Sequence, residues 1–282
     1  MRIFVLSDIH VDFEENRLWL QNLLRKNFKN DALILAGDIT HHFDLLNEWL
    51  LKIRYRFGKV FYVPGNHDLW IDGKDWDNSL QKFHAIMEFC NQNDINVKPG
   101  VVHCNGKQVA IVPVFSWYDM RGENDSLYLP KPGEDPSNVM WNDLYDIHWP
   151  KENGFVASSY FLEYTRQKLL NQPVDLTITF SHFLPRREVM FKGEMVYDYE
   201  RMKKYDRFPQ FNFSGFAGSL KIDRFIRSIG AQIHVYGHQH INRDKTVDGV
   251  RYVAHHLGYP HERRSGILSE SERGMKLLCA DL

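Results

Sequence analysis

The sequence is poor in cysteine. Cys90, Cys104 and Cys279 are its three, far apart, and no CxxC pair occurs. Such spacing points to neither a zinc ribbon nor a disulfide framework, so all three are read as small buried apolar residues. Long apolar runs are missing too, and no stretch approaches the ~18 residues a membrane helix needs. The opening run Ile3–Leu6 is too short for a secretory signal core and lacks a cleavage pattern. The expectation is a cytoplasmic protein with no membrane partner. Neither sign of charge is in excess: 35 Lys+Arg stand against 36 Asp+Glu, a net −1. No broad field draws in nucleic acid, which is therefore not favoured as a partner, although a nuclease needs only a local basic groove. Repeats and low-complexity tracts are absent, which excludes a solenoid.

What is present is an ordinary globular composition, 43% hydrophobic and 25% charged, with aromatics at 14%. At 282 residues the chain can bury roughly three quarters of its unfolded surface, so its core needs no staples. Its first third alternates. Residues 1–8, 31–38 and 59–68 are apolar strands ending in polar residues. Residues 14–29 carry Leu18, Trp19, Leu23, Leu24 and Phe28 at helical spacing, and 43–56 carry Leu45, Leu46, Trp49, Leu50 and Ile53. Strand–helix–strand–helix–strand implies a parallel sheet and an α/β fold. Further along, 75–94, 155–171 and 219–229 are expected to be helical, and 108–115, 175–182 and 231–240 to be strands. The tail from 241 reads as short strands and turns. No linker divides the chain, so it is read as one domain, 1–282. Irregular aromatic-rich insertions are expected at 116–153 and 186–216.

The polar strand ends carry the chemistry. They read SDIH, AGDIT, PGNHD, SH and YGHQH, and in α/β sheets ligands bind beyond the carboxyl ends of strands. The donors are carboxylate, amide and imidazole without thiolate, a set suited to Mn²⁺, Fe or Zn²⁺. A lone Asp-x-His is weak evidence, as the second copy at Asp146–Ile147–His148 shows. That copy lies in a Pro-rich stretch with no strand before it. Asp8 and His10 follow a strand, and in an extended segment residues two apart face the same way. His238 and His240 repeat the spacing.

The ordered set DxH, GD, GNHD, H, GHxH resembles the calcineurin-like metallophosphoesterase superfamily, across residues 8–240. The resemblance implies a four-layer α/β/β/α sandwich with two central mixed β-sheets flanked by helices. It also implies two metal ions as cofactors: Mn²⁺, Fe²⁺/Fe³⁺ or Zn²⁺. Asp8, His10, Asp38 and His240 would hold the first. Asp38 would bridge to the second, which Asn66, His182 and His238 complete. His67 stands at the family's catalytic histidine. The implied reaction is hydrolysis of a phosphomonoester or phosphodiester by in-line attack of a metal-bridging hydroxide, with a small phosphorylated substrate or nucleotide. A shared carboxylate such as Asp38 offsets the repulsion of two cations ~3.5–4 Å apart, and His67 could protonate the leaving oxygen. The pattern departs from the Ser/Thr protein phosphatase branch. Val11 follows DIH, GDITHHF replaces the arginine-bearing GD motif, and His41 stands where the carboxylate that orients the catalytic histidine would be. GNHD fits nuclease-like, cyclic-nucleotide or small-molecule phosphodiesterase branches better.

Other residues admit two readings. Arg186 and Arg187 could reach a substrate phosphate or lie on the surface. Asp68 could orient His67 or a backbone loop. Thr40 is expected to cap a turn, and His41 and His42 to be exposed in a loop. One of His255, His256 and His261 could touch substrate. The insertion aromatics could wall a pocket or pack on one another. Two function classes remain: a hydrolase, with a DNA nuclease as a variant, or a non-catalytic interaction module like the retromer subunit that resembles this family. A complete donor set favours the hydrolase.

Overall fold

The computed structural model describes residues 1–71, 73, 75–135, 137, 140–151, 154–169, 173–191, 208–265 and 274–279. Two mixed sheets form its centre. In the first, β1 (Arg2–Leu6), β2 (Phe28–Ala36) and β3 (Phe57–Val63) run parallel, and β10 (Lys276–Leu277) pairs antiparallel with β1. The second contains β4 (Gly100–Cys104), β5 (Lys107–Pro113), β6 (Leu176–Phe180), β7 (Ile233–Tyr236), β8 (Arg243–Val247) and β9 (Val250–Ala254). Its order is β4-β5-β6-β7-β9-β8, parallel within and antiparallel at both edges. Helices flank the sheets: α1 (Glu14–Leu23), α2 (Phe43–Arg56), α3 (Asn66–Leu69), α4 (Ser79–Gln92), α5 (Asp143–Asp146), α6 (Ala157–Arg166), α7 (Leu220–Ser228) and α8 (Pro260–Arg264). This is the expected α/β sandwich.

The strands are apolar because both faces are covered. Ile3, Val5, Ala32, Ile34, Val60 and Phe61 are all fully buried. Helix α2 buries Leu46, Trp49, Leu50 and Ile53, each worth about 1.5–3 kcal/mol of transfer free energy.

Two expectations need correction, and one strand is new. Phe28 does not end a helix: α1 stops at Leu23, and Phe28 opens β2, stacked on Phe57 at 4.7 Å. A register irregularity between Phe28 and Ala32 lets it join the ladder early. Strand β4, which forms a hairpin with β5, has no counterpart in the sequence reading. All three cysteines are buried, but Cys104 and Cys279 are joined by a disulfide across 175 residues, a proximity that spacing cannot reveal. Most of the 186–216 insertion, residues 192–207, lies outside the described residues. Among the described residues no helix is long and apolar enough to cross a membrane.

Candidate metal centre

The carboxyl ends of the parallel strands meet at one edge of both sheets. Asp8 and His10 follow β1, Asp38 follows β2, and Asn66 and His67 follow β3. From the second sheet come His182 after β6, then His238 and His240 after β7. The sheets are stitched at this edge by a parallel bridge between Ser7 and His256, and by Gly258 N donating to Asp8 O at 2.9 Å.

The local backbone is unusual. Asp8, His10, Asp38, His238 and His240 all have positive φ, between 45° and 79°. Asp and His tolerate this left-handed region better than most residues, and such strain gathers at functional sites. Asp8 and His10 therefore converge through a left-handed turn and not, as expected, through the alternation of an extended strand. The glycine before Asn66 is required by space. A Cβ on Gly65 would lie 2.1 Å from Asp38 Oδ1.

Seven side chains form two donor groups that lie side by side. In the first, His10 Nε2 lies 3.1 Å from His240 Nε2, which lies 3.2 Å from Asp8 Oδ1. In the second, His182 Nε2 is 3.0 Å from Asn66 Oδ1, 3.2 Å from His238 Nδ1 and 3.4 Å from Asp38 Oδ2. Asp38 also has a carboxylate oxygen within 4.8 Å of donor atoms on His10 and His67, so it stands between the groups. Two donors on one cation at ~2.1 Å stand roughly 3.0–3.4 Å apart. The observed spacings match, so the residues fit metal ions.

Outer partners fix which ring nitrogens face inward. His182 Nδ1 donates to Ala36 O at 2.8 Å, and His238 Nε2 to Phe216 O at 3.1 Å. A carbonyl only accepts, so in the neutral rings the opposite nitrogens are the ones that carry lone pairs. His240 Nδ1 faces Glu262 Oε2 at 2.7 Å, and Asp8 Oδ2 faces His256 Nδ1 at 2.6 Å. Asn66 Nδ2 donates to the buried Asp143 at 2.9 Å, which turns its oxygen inward. Asp68 settles as a loop anchor. It accepts from the backbone N–H of Asp38, Ile39, Thr40 and Gly65 and from the Tyr62 hydroxyl.

The electrostatics show protons where metals would compete. Burial pushes the Asp38 carboxyl up to about 7 against the pull of His182. Burial alone would lower His182, but Asp38 outweighs it and pushes the ring up to about 9. Likewise, burial would lower His240, but Glu262 and Asp8 raise it well above the ordinary value. Burial and neighbouring histidines hold His10, His67 and His238 well below it. His67 keeps 15% of its side chain exposed, which tempers burial there. In a metal-bound state all seven proposed ligands must present lone pairs, so these protons must leave.

The groups open into a cleft of about 290 Å³. Met140, Trp141 and Phe213 form its apolar side, and Trp70 and Tyr259 stand near His67. Trp141 stacks on Phe216 at 5.1 Å and meets His238 edge-on at 5.6 Å. Trp117 and Trp149 instead pack on each other at 4.8 Å, so the insertion aromatics serve in both ways. A slightly larger cleft of about 350 Å³ lies between α6 and α7. Its Arg166, Lys221 and Arg224 are paired with Glu163, Asp119 and Asp125, and it gathers no catalytic set.

Arg186 and Arg187 are not among the residues that line this cleft. Arg186 is tied to Glu188 at 2.9 Å and Asp248 at 3.0 Å, and Arg187 donates to Ser126 O at 2.6 Å. Thr40 accepts from His42 N and donates to Asp12, as a turn residue does. Tyr259, Glu262 and Asp143 escaped the sequence reading. The Tyr-Pro-His-Glu start of α8 is a legible helix opening, with Pro first and Glu third, but nothing local says that it lies against His240.

This fold and donor set define a metallophosphoesterase. The family model for calcineurin-like phosphoesterases matches residues 1–242, and the chain belongs to that family of phosphoric ester hydrolases. Among curated proteins, the chain is similar to the [acyl-carrier-protein] phosphodiesterase PptH of Mycobacterium tuberculosis. The two are 27% identical over 274 residues, covering 93% of this chain and 79% of the relative. It is also similar to the uncharacterized protein L509 of Acanthamoeba polyphaga mimivirus, 24% identical over 94% of each. The crystal structure of phosphopantetheinyl hydrolase PptH from Mycobacterium tuberculosis superimposes with a TM-score of 0.75. It covers 99% of this chain and 96% of that one at 23% identity, a likeness of fold.

Proposed function

We propose that this protein is a dinuclear-metal phosphodiesterase, and that its substrate is a phosphopantetheinyl diester on a carrier protein. One observation carries the enzymatic reading: two donor groups lie side by side, Asp38 belongs to one and comes within 4.8 Å of His10 of the other, and members of both line a single cleft. Asp8, His10, Asp38 and His240 would hold one cation, and Asp38, Asn66, His182 and His238 the other. Two such ions, Mn²⁺, Fe or Zn²⁺, would supply Lewis acidity and a nucleophile at neutral pH.

The chain's own groups do the rest. Asp38 and Asp8 supply the negative charge that lets cations sit close together. His67, with its backbone N–H on Asp38 Oδ1 at 2.9 Å, is held beside the reacting centre without belonging to either ligand set. Its Nε2 is placed to give a proton to the departing oxygen, and the substrate's negative charge offsets the neighbours that lower its basicity. Met140, Trp141 and Phe213 offer apolar surface to the long arm attached to the phosphoryl group, while the oxygen that departs is the carrier's. The substrate class rests on the PptH relative, whose likeness spans nearly the whole chain, and on this apolar wall.

The test is direct. Manganese-loaded protein is mixed with a carrier protein bearing phosphopantetheine, and the carrier's mass is followed. Loss of the arm, abolished by chelator, is the expected result. Hydrolysis of bis-nitrophenyl phosphate without loss of the arm would keep the phosphodiesterase and reject the carrier. Hydrolysis of neither, nor of cyclic nucleotides or single-stranded DNA, with two metals bound, would favour a non-catalytic module.

A further inference from the structure

Among the described residues, the His67 ring has no carboxylate within hydrogen-bond range of the kind that a catalytic imidazole often has. The nearest ion-pair oxygen among the described residues is Asp38 Oδ2, 3.9 Å from Nε2, beyond hydrogen-bond range. The ring is nevertheless not left to turn. Its face lies 3.7 Å from Trp70, and His10 meets its edge at 4.7 Å. The polar contact to its Nε2 comes from the Tyr259 hydroxyl, at 3.3 Å.

Tyr259 is itself firmly placed. Its ring packs on His10 at 4.5 Å and on His240 at 4.7 Å. Its backbone N–H donates to Glu262 Oε2 at 2.7 Å, the same oxygen that faces His240 Nδ1. The start of α8 therefore holds one ligand histidine through Glu262 and the catalytic histidine through Tyr259.

We propose that Tyr259 positions His67 for delivery of the proton to the leaving oxygen. This rests on the phosphodiesterase reading above and adds a residue to it. A hydroxyl is both donor and acceptor, so it can hold Nε2 on either side of the transfer. While Nε2 bears a proton, Tyr259 Oη and the leaving oxygen share it as acceptors. When the P–O bond breaks, its electron pair goes to the leaving oxygen and the Nε2 proton follows. The neutral ring then accepts from the Tyr259 O–H until solvent restores its proton. Tyr259 keeps its own proton throughout. A carboxylate, lacking a proton to donate, could not hold the neutral nitrogen in this way.

The experiment uses the manganese-loaded full chain and a series of phosphodiesters with leaving groups from nitrophenol to simple alcohols. Wild type, Tyr259→Phe, His67→Ala and the double variant are compared, with metal content measured for each. Nitrophenolate departs without a proton, whereas an alkoxide needs one. Tyr259→Phe is expected to lower kcat by ~10-fold or more on alkyl leaving groups, within the general-acid range, and little on nitrophenyl ones. Two metals should remain bound, and the double variant should be no slower than His67→Ala alone, as for residues that act as a unit. Equal losses on all leaving groups, or additive losses in the double variant, would overturn the proposal while leaving His67 its role. If His67→Ala itself shows no leaving-group dependence, proton delivery by His67 is refuted, and the role of Tyr259 goes with it.

Discussion

A methyl group added to Gly65 would meet Asp38 Oδ1 at 2.1 Å and His182 Cε1 at 2.7 Å. Both belong to one donor group, so Gly65→Ala must displace ligands, the helix start or both. We expect that variant to fold yet lose most of its bound metal and activity, with metal analysis and circular dichroism as the readouts. Full metal content and wild-type turnover would contradict the packing described. His67→Ala should behave differently. Its imidazole lies outside both ligand sets, so two metals should stay while kcat on an alkyl diester falls ~10²–10⁴-fold. At this scale the donors that the structure brings together were legible because each follows an apolar run and sits in a short recognisable motif. Glu262, Asp143 and Tyr259 were not. They act through contacts 22, 77 and 192 residues apart in sequence, and an isolated Glu, Asp or Tyr carries no local signal of such a partner. Arg186 and Arg187 show the converse: nearness to His182 in sequence did not bring them into the cleft, because Glu188 and Asp248 hold Arg186 elsewhere.

At the scale of elements, the short helix α5 ties an irregular insertion to the centre. Its Asp143 is buried and accepts from Asn66 Nδ2, Trp70 Nε1 and Trp141 Nε1 at 2.9, 2.6 and 2.9 Å. One carboxylate thereby orients a proposed ligand, the indole that stacks on His67 and the indole of the cleft wall. Partners behind metal ligands typically cost 10–100-fold in metal affinity when removed. Asp143→Ala should weaken the second cation by about that factor and leave the first nearly untouched, because Asn66 belongs to one group only. Metal titration resolving two sites measures this, and equal weakening of both would reject the assignment. The strongly periodic helix α2 was readable to its bounds, since four core residues recur at helical spacing. Strand β4 was not, because its exposed His103 and half-exposed Gly100 and Val101 break the apolar run that marks the inner strands, whereas β10 falls in the tail read as short strands and turns. The insertion's role was legible only as aromatic richness, since a sequence without regular period gives no register.

For the whole molecule, the centre exists only where the two sheets meet. Asp8, His10, Asp38 and Asn66 come from one, and His182, His238 and His240 from the other. Cations held between them would bind the folded state alone and so stabilise it by linkage, roughly 2.7 kcal/mol for a site at 100-fold saturation. Complete chelation should lower Tm by about 5 °C or more, and an unchanged Tm after verified metal removal would argue against cations joining the sheets. Stability should also depend on pH through a residue away from the centre. His234 lies fully buried on β7, hydrogen-bonded by Thr179 Oγ1 at 2.8 Å and Ser181 Oγ at 3.0 Å. Burial drives its pKa from 6.5 to about 3, because a charged ring there would lose its hydration. A folded pKa below the unfolded one means that the unfolded chain binds more protons between the two values. The contribution of His234 is therefore complete above pH 6.5 and declines as pH falls toward 3. Comparing wild type with His234→Gln removes every other titrating group from the difference. At pH 7.5 the variant should be the less stable, having lost a ring that fits between two hydroxyls. By pH 4.5 the gap should have narrowed by about 2–3 kcal/mol, near the limit of ~1.4 kcal/mol per pH unit for one proton. Urea unfolding at the two pH values measures the gap. A constant gap would mean that His234 takes up its proton as readily in the folded sheet as in the unfolded chain, which a fully buried ring between two hydroxyls cannot do without opening the strand.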